Sequence, residues 1–334
     1  MCLAIQRFLV NTLSLHDALP IWLTIGELSA FLAYLVMLIW PVIAFGWVIN
    51  LLQQGAASME RLGKIFDTDP KIKDTEATDH RIQNIEGTIE FRGMTFTHMD
   101  SPRPTLQNID LKIDKGMTVA VVGYTGSGKT TLVNLIPRLY DVTEGQLLID
   151  GTDVRAIPLE ILRSNIGYVP QETFLFSDTL TENIRYGTDD GTPEHVKEAA
   201  EISQIAKDIL EFPKQFDTMI GERGITLSGG QKQRTSIARA LIRQPKILIL
   251  DDCLSAVDTY TEEEILRRLR AFMKGRTSII ISHRISTVKE ADLIVVLDKG
   301  QIVERGTHDE LVAKGGIYAE LNEKQLLERE LEEL

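Results

Sequence analysis

The sequence predicts an α/β domain built on a largely parallel sheet around a phosphate-binding loop, with one apolar helix ahead of it long enough to cross a membrane. Three observations predict this. Apolar runs such as VAVVG (119–123), ILIL (247–250) and SIIIS (278–282) suit strands covered on both faces, as in a parallel sheet. The segment GYTGSGKTT (123–131) sets glycines between one such run and a helical pattern. Residues 28–52, LSAFLAYLVMLIWPVIAFGWVINLL, carry no charge at all.

Those uncharged residues would rise about 37 Å as a helix, enough to cross a hydrocarbon core of about 30 Å with some tilt. Trp40 and Pro41 permit a kink, which a membrane helix tolerates. Glu27 precedes the span, and Arg61 and Lys64 follow it, which puts the C-terminal side in the cytoplasm. QQGAASMERLGKIFD continues with helical spacing, so residues 22–66 form one helix with its cytoplasmic extension. Upstream, NTLSLHDALPI (11–21) reads as a translated sequencing adapter; residues 1–21 are a doubtful leader and are set aside.

Residues 67–86 are charged, contain Pro70 and read as a linker. From Gly87 the segments alternate. TIEF, TVAVVG, IGYVP, KILILDD, TSIIIS and LIVVLD read as strands; KTTLVNLIPRL, EHVKEAAEISQIAKDILEF and TEEEILRRLRAFM read as helices. The globular domain spans 87–322, and 323–334 form an acidic helical tail with a solvated face. No internal repeat is visible.

Composition narrows the function classes. A net charge of −12 argues against a phosphate-backbone binder, which carries a basic face; no nucleic-acid partner is expected. With only Cys2 and Cys253, a disulfide framework is not expected and a reducing compartment suits the domain.

The chemistry sits in a few short segments. Gly123, Gly126 and Gly128 let the backbone of Gly123, Tyr124, Thr125, Gly126, Ser127 and Gly128 wrap close to phosphate oxygens at a helix N-terminus. Lys129 can reach the β- and γ-phosphates; Thr130 can ligate Mg²⁺, with Thr131 beside it. LILDD ends an apolar strand in two carboxylates, of which Asp251 is placed to hold the metal. LSGGQ (Leu227, Ser228, Gly229, Gly230, Gln231) is a second Gly-Gly turn at a helix start, and implies that another phosphate surface must be held.

Together these segments resemble the nucleotide-binding domain of ATP-binding cassette (ABC) transporters over essentially all of residues 87–321. The resemblance includes Gln171 in YVPQETFLFSDTLTENI, GERG at 221–224, SAVD with Ser255 and Asp258, and His283 in ISHR. It implies the fold of a P-loop NTPase of ABC type, with an antiparallel β subdomain and a helical subdomain. It implies ATP and Mg²⁺ as cofactors. Gln171 would sense metal and γ-phosphate, Asp258 would cross a dimer seam, and His283 would contact the γ-phosphate. LSGGQ would close in trans over the ATP of a second subunit. The residues from Leu23 to Asp67 look like the last membrane helix of an exporter half-transporter, so the chain is expected to be the C-terminal part of a multi-pass plasma-membrane protein exporting an unknown substrate.

Two positions depart from the family pattern. His98 in TFTHM stands where a Tyr usually stacks on adenine; imidazole can stack with less area. Asp252 stands where the catalytic base is normally Glu, and aspartate is shorter by about 1.5 Å. A carboxylate drawn back that far holds the attacking water poorly, although a shifted backbone or second water could compensate. An intact signature beside a shortened base resembles the weaker half of a heterodimeric multidrug-type exporter, whose partner is a different half-transporter. Two readings stand beside it: a regulatory ATP-binding subunit with negligible turnover, and a nucleic-acid-processing cassette ATPase, which the adjoining span and the acidic charge disfavour.

Overall fold

The computed structural model describes residues 24–99, 101–188, 190–221 and 226–332. The leader at 1–21, Cys2, and Glu222, Arg223 and Gly224 of the GERG segment lie outside the described residues. Two compact units divide between Lys71 and Ile72.

Among its described residues the first unit is a single helix, Ile25–Phe66. Its start follows from the sequence: the Thr24 side chain accepts the Glu27 N–H, and the Glu27 carboxylate accepts the Thr24 N–H at 2.8 Å, a reciprocal capping box. The helix runs through Pro41 without a break. None of its residues is buried, and by length and composition it could cross a membrane.

The second unit holds two sheets. Strands β1 (Ile89–Phe96), β2 (Leu106–Ile113), β3 (Thr118–Val122), β4 (Glu144–Ile149), β5 (Thr152–Asp153), β6 (Ile166–Val169), β7 (Ile247–Asp251), β8 (Thr277–Ile281), β9 (Leu293–Asp298) and β10 (Gln301–Gly306) divide between them. The antiparallel sheet has the order β2-β1-β4-β5, and the second sheet the order β10-β9-β3-β8-β7-β6. In the second, β9, β3, β8, β7 and β6 are mutually parallel, and only β10 is antiparallel. The α/β class, the antiparallel subdomain and the helical parts are as the sequence predicts.

The unbroken apolar runs have a simple cause. Along β3, Val119 and Val121 pack into one core, and Ala120 and Val122 into the other. Ile247 and Ile249 alternate with Leu248 and Leu250 in the same way. With both faces covered, neither parity of the strand can be polar.

Two helices differ from expectation. The stretch expected as one helix from Glu194 to Phe212 is two, Pro193–Ile202 and Ala206–Glu211. Gln204 between them has a φ of 59°, a left-handed turn that ends the first helix. The helix after the phosphate loop is short, Lys129–Leu135; Ile136 is still helical (φ −63°, ψ −50°), but Pro137 has no N–H with which to continue the ladder.

The segment leading into β1 is tied down by one side chain. Asp150, itself at φ 51°, accepts the N–H groups of Glu86 (2.6 Å), Gly87 (3.1 Å) and Thr88 (2.8 Å). Ionised acceptors of this kind contribute about 1.5–3 kcal/mol each. Asp150→Ala should therefore lower the stability of the full chain by about 2 kcal/mol or more. Urea unfolding followed by circular dichroism measures it, and an unchanged midpoint would refute the role given to Asp150.

Candidate functional site

Four neighbouring strands deliver the site from one edge of the parallel sheet. The loop after β3 is the glycine-rich loop, Asp251 ends β7, Ser282 and His283 follow β8, and Gln171 follows β6 by two residues. Because the strands are parallel, all four segments emerge at the carboxyl end, where open α/β sheets bind ligands. A cleft of about 280 Å³ there is lined by Thr125, Gly126, Gly128, Lys129, Thr130, Thr131, Gln171, Asp251, Asp252 and His283. Thr105 and Ile281 complete it. A larger groove of about 890 Å³, lined by Phe176, Arg185 and Tyr186 among others, holds none of the phosphate-loop groups.

The loop needs glycine for two different reasons. At Gly123 (φ 146°) a Cβ would lie 2.1 Å from the Leu297 carbonyl oxygen, so no other residue fits. Gly126 (φ 79°) has open space around it but a left-handed backbone. Inside the curl, the Lys129 ammonium donates to the carbonyls of Gly123 and Tyr124, both at 2.9 Å. Burial holds its pKa below the ordinary lysine value, with Asp251 and Asp252 pulling the other way.

Opposite stands a bare carboxylate. Asp251 is 1% exposed, and neither of its oxygens has a hydrogen-bond partner of ordinary geometry. Burial raises its pKa above the usual carboxylate range; Thr130, Lys129 and Tyr168 act against that rise, and Asp252 adds to it. The Ser127 hydroxyl is likewise buried and unpartnered. Unsatisfied buried groups are costly. A cradle that only glycine can form, a buried cation and an orphaned carboxylate fit a phosphate chain carrying a divalent cation. Asp251, Thr130 and Gln171 are the groups that can hold the metal, directly or through water.

Asp252 adopts a φ of 48°, a left-handed conformation that Asp tolerates better than most residues. Its N–H donates to the Ile281 carbonyl at 2.9 Å, and its own carbonyl accepts the Ser255 hydroxyl at 3.0 Å. The backbone at this position is thereby fixed from both sides.

Other expected residues lie elsewhere. Leu227 is buried, Ser228 and Gly229 are exposed, and Gly230 is half-buried. Ser228 caps the helix Gly229–Leu241, its hydroxyl accepting the Gln231 N–H while Gln231 accepts the Ser228 N–H at 3.0 Å. Among the described residues, none of these five lines the phosphate-loop cleft of its own chain. Ser255 binds this helix through Gln233, whose amide donates to the Ser255 hydroxyl and accepts the Ala256 N–H, both at 3.0 Å. Asp258 is exposed and caps the helix Thr259–Met273 by accepting the Thr261 N–H at 3.0 Å. His98 sits edge-on to Phe96 (4.7 Å between centroids) and to Tyr140 (5.3 Å).

Sequence reasoning missed Thr105, Gln233, Tyr168 and Tyr140. Tyr168 donates to Asn134 at 2.8 Å, and burial raises its pKa. No local pattern marks these residues; the fold brings Thr105 to the cleft, Tyr168 to Asp251, Gln233 to Ser255 and Tyr140 to His98.

This arrangement defines a nucleotide-binding cassette of ABC type. Residues 106–255 match the family model for the ABC transporter. The chain is 46% identical over 305 residues to a probable multidrug resistance ABC transporter ATP-binding/permease protein, YheI, of Bacillus subtilis, covering 91% of this chain and 52% of that protein. It is 47% identical over 305 residues to an ATP-dependent lipid A-core flippase of Syntrophus aciditrophicus, covering 91% and 50%. Its fold matches a bacterial Atm1-family ABC exporter with ATP bound at a TM-score of 0.77 and 39% identity, over 90% of this chain and 53% of that one. The chain thus spans about half the length of the relatives it matches.

The raised carboxyl of Asp251 yields a signed expectation. The folded chain keeps this proton to higher pH than the unfolded chain, so the linked stability is present below the ordinary carboxylate range and is lost as pH rises through the folded value. Asp251→Asn should therefore raise the melting temperature of nucleotide-free protein at pH 7 while removing the extra stabilisation given by Mg²⁺ with ATP. Thermal melts with and without Mg²⁺–ATP read both; a lower nucleotide-free melting temperature would contradict the desolvation argument.

Proposed function

We propose that this chain is the ATP-binding and ATP-hydrolysing part of an ABC exporter half-transporter, with residues 87–322 as its motor and residues 22–66 as its last membrane helix. The observation that carries the reading is the pairing of the buried Lys129 ammonium with the unpartnered Asp251 carboxylate in one cleft. Bound there, ATP would supply the γ-phosphoryl group that water attacks as ADP leaves, and Mg²⁺ would offset the phosphate charge. Lys129 and the loop amides of Gly126 and Gly128 hold phosphate oxygens, and Asp251 with Thr130 and Gln171 holds the metal. His283 steadies the γ-phosphate, and Asp252 takes a proton from the attacking water. His98, braced by Phe96 and Tyr140, offers the ring on which adenine stacks.

The signature segment faces a second cassette. That none of its residues lines the chain's own cleft supports closure in trans, with Leu227, Ser228, Gly229, Gly230 and Gln231 completing the partner's site and Ser255 and Asp258 at the seam. ATP then closes the pair, and hydrolysis with product release reopens it, driving alternating access for an exported substrate in the lipid membrane. The relatives named for multidrug resistance and lipid A-core flipping support a hydrophobic or lipid-like cargo. The cassette lies on the cytoplasmic side.

Asp252 sets the partition of labour. Its backbone is pinned to Ile281 and Ser255, so it does not advance to make up the missing methylene. A shortfall of about 1 Å costs up to about a hundredfold in rate. The chain's own site is therefore hydrolytically weak, and a different half-transporter supplies the stronger one. In purified homodimers of the full-length half-transporter, Asp252→Glu should raise kcat for ATP by about tenfold to a hundredfold with little change in KM. Comparable turnover in the two proteins would reject the weak-site reading and leave a conventional homodimeric exporter.

A further inference from the structure

The C-terminal helix Ile317–Glu332 touches the chemistry through one side chain. It begins against Glu304, whose carboxylate is 8% exposed and accepts the N–H groups of Ile317 (2.7 Å) and Tyr318 (3.2 Å). These are orphan donors of a helix start, satisfied by a distant strand residue. Tyr318 is fully buried and bonds His308 at 2.8 Å. The helix is therefore fixed in position and rotation at its first turn. Residues 318, 321 and 325 follow a spacing of three and seven, which keeps them on one face.

Tyr318 and Leu321 on that face pack into the core. Gln325 reaches instead to the loop that carries His283. Its amide nitrogen donates to the His283 carbonyl, and its amide oxygen accepts the Ile285 N–H at 2.7 Å. The short helix Ile285–Val288 has no side-chain cap of its own, so Gln325 supplies it from outside. On the other side of the same loop, Glu262 pairs with Arg284 and accepts the Thr287 hydroxyl at 2.6 Å. Glu262 is buried and belongs to the helix that Asp258 starts.

We infer that Gln325 is a positioning residue for His283. A carboxamide is the group required: it must donate to one backbone carbonyl and accept from one backbone N–H two residues on. With Glu262 holding Arg284 and Thr287, and Gln325 holding the His283 carbonyl and the Ile285 N–H, the backbone that leaves His283 is fixed while its side chain stays exposed at the cleft. Turnover at this site then depends on a helix outside the phosphate-binding core. The inference rests on the role proposed for His283, and the test separates the two.

Single-turnover ATP hydrolysis and Mg²⁺–ATP binding are measured in the dimeric full-length transporter, in the Asp252→Glu background that restores the longer base. Gln325→Ala should lower the hydrolysis rate about tenfold, below the hundredfold that a 1 Å misplacement can cost, with binding changed less than about twofold. Gln325→Glu should match Gln325→Ala, because a carboxylate keeps the Ile285 contact and cannot donate to the His283 carbonyl. Added to His283→Ala, neither change should slow the reaction further, since the effect passes through the imidazole. A full rate in Gln325→Glu beside a low rate in His283→Ala overturns the inference alone. Equal slowing in the presence and absence of His283 also overturns it, as a general loss of folding. A normal rate in His283→Ala overturns the role of His283 and the inference with it. Were Gln325→Ala to fail to fold, the Glu variant, which retains the helix cap, decides the matter.

Discussion

One electrostatic confrontation organises the cassette: a buried ammonium, Lys129, and a buried carboxylate, Asp251, held apart in a cleft that neither fills. Each is costly to bury alone. Lys129 is partly repaid by two carbonyls of its own loop; Asp251 is not repaid by any protein donor of ordinary geometry. The fold must supply the stability that keeps these groups desolvated, and the two cores on either face of the six-stranded sheet do so. A ligand that brings phosphate oxygens to one group and a cation to the other relieves both.

Sheet order makes the confrontation possible. β3 and β7 are not neighbours; β8 lies between them. That gap sets the cation and the carboxylate across a cleft rather than in direct contact. It also places the end of β8, with His283, between the two. A β3 paired directly with β7 would bring the two groups a strand spacing closer and leave His283 outside. The relation of site to sheet is thus topological, and it depends on parallel strands whose loops all open on one edge.

The backbone around Asp252 shows how little freedom such a site leaves. Its left-handed φ, its N–H bond to Ile281 and the Ser255 bond to its carbonyl fix where any side chain at this position starts. Reach then becomes a property of side-chain length alone, which gives a one-carbon difference its weight. The same segment, through Gln233 and Ala256, is tied to the helix that the signature begins. Asp252, the Ser255–Ala256 segment and the helix that Ser228 caps are thereby one mechanical unit.

Much of this was legible in the sequence. The phosphate loop, the two carboxylates after LIL, the signature at a helix start and the apolar span are local patterns, and each reports local physics: a glycine where no Cβ fits, a strand buried on both faces, a capping box, a charge-free stretch. What remained hidden was long-range. The break at Gln204 was invisible because apolar periodicity continues across it. Thr105, Gln233 and Tyr168 sit in segments whose patterns announce only strand, helix or loop. The C-terminal helix read as a solvated tail because its composition is acidic, whereas Glu304 and Gln325 dock one face of it. By itself the sequence determined the chemistry, because phosphate binding needs particular residues at fixed short spacings. The tertiary structure alone decided which of those residues share a cleft, because strand order and the docking of distant helices depend on packing that no short window of sequence contains.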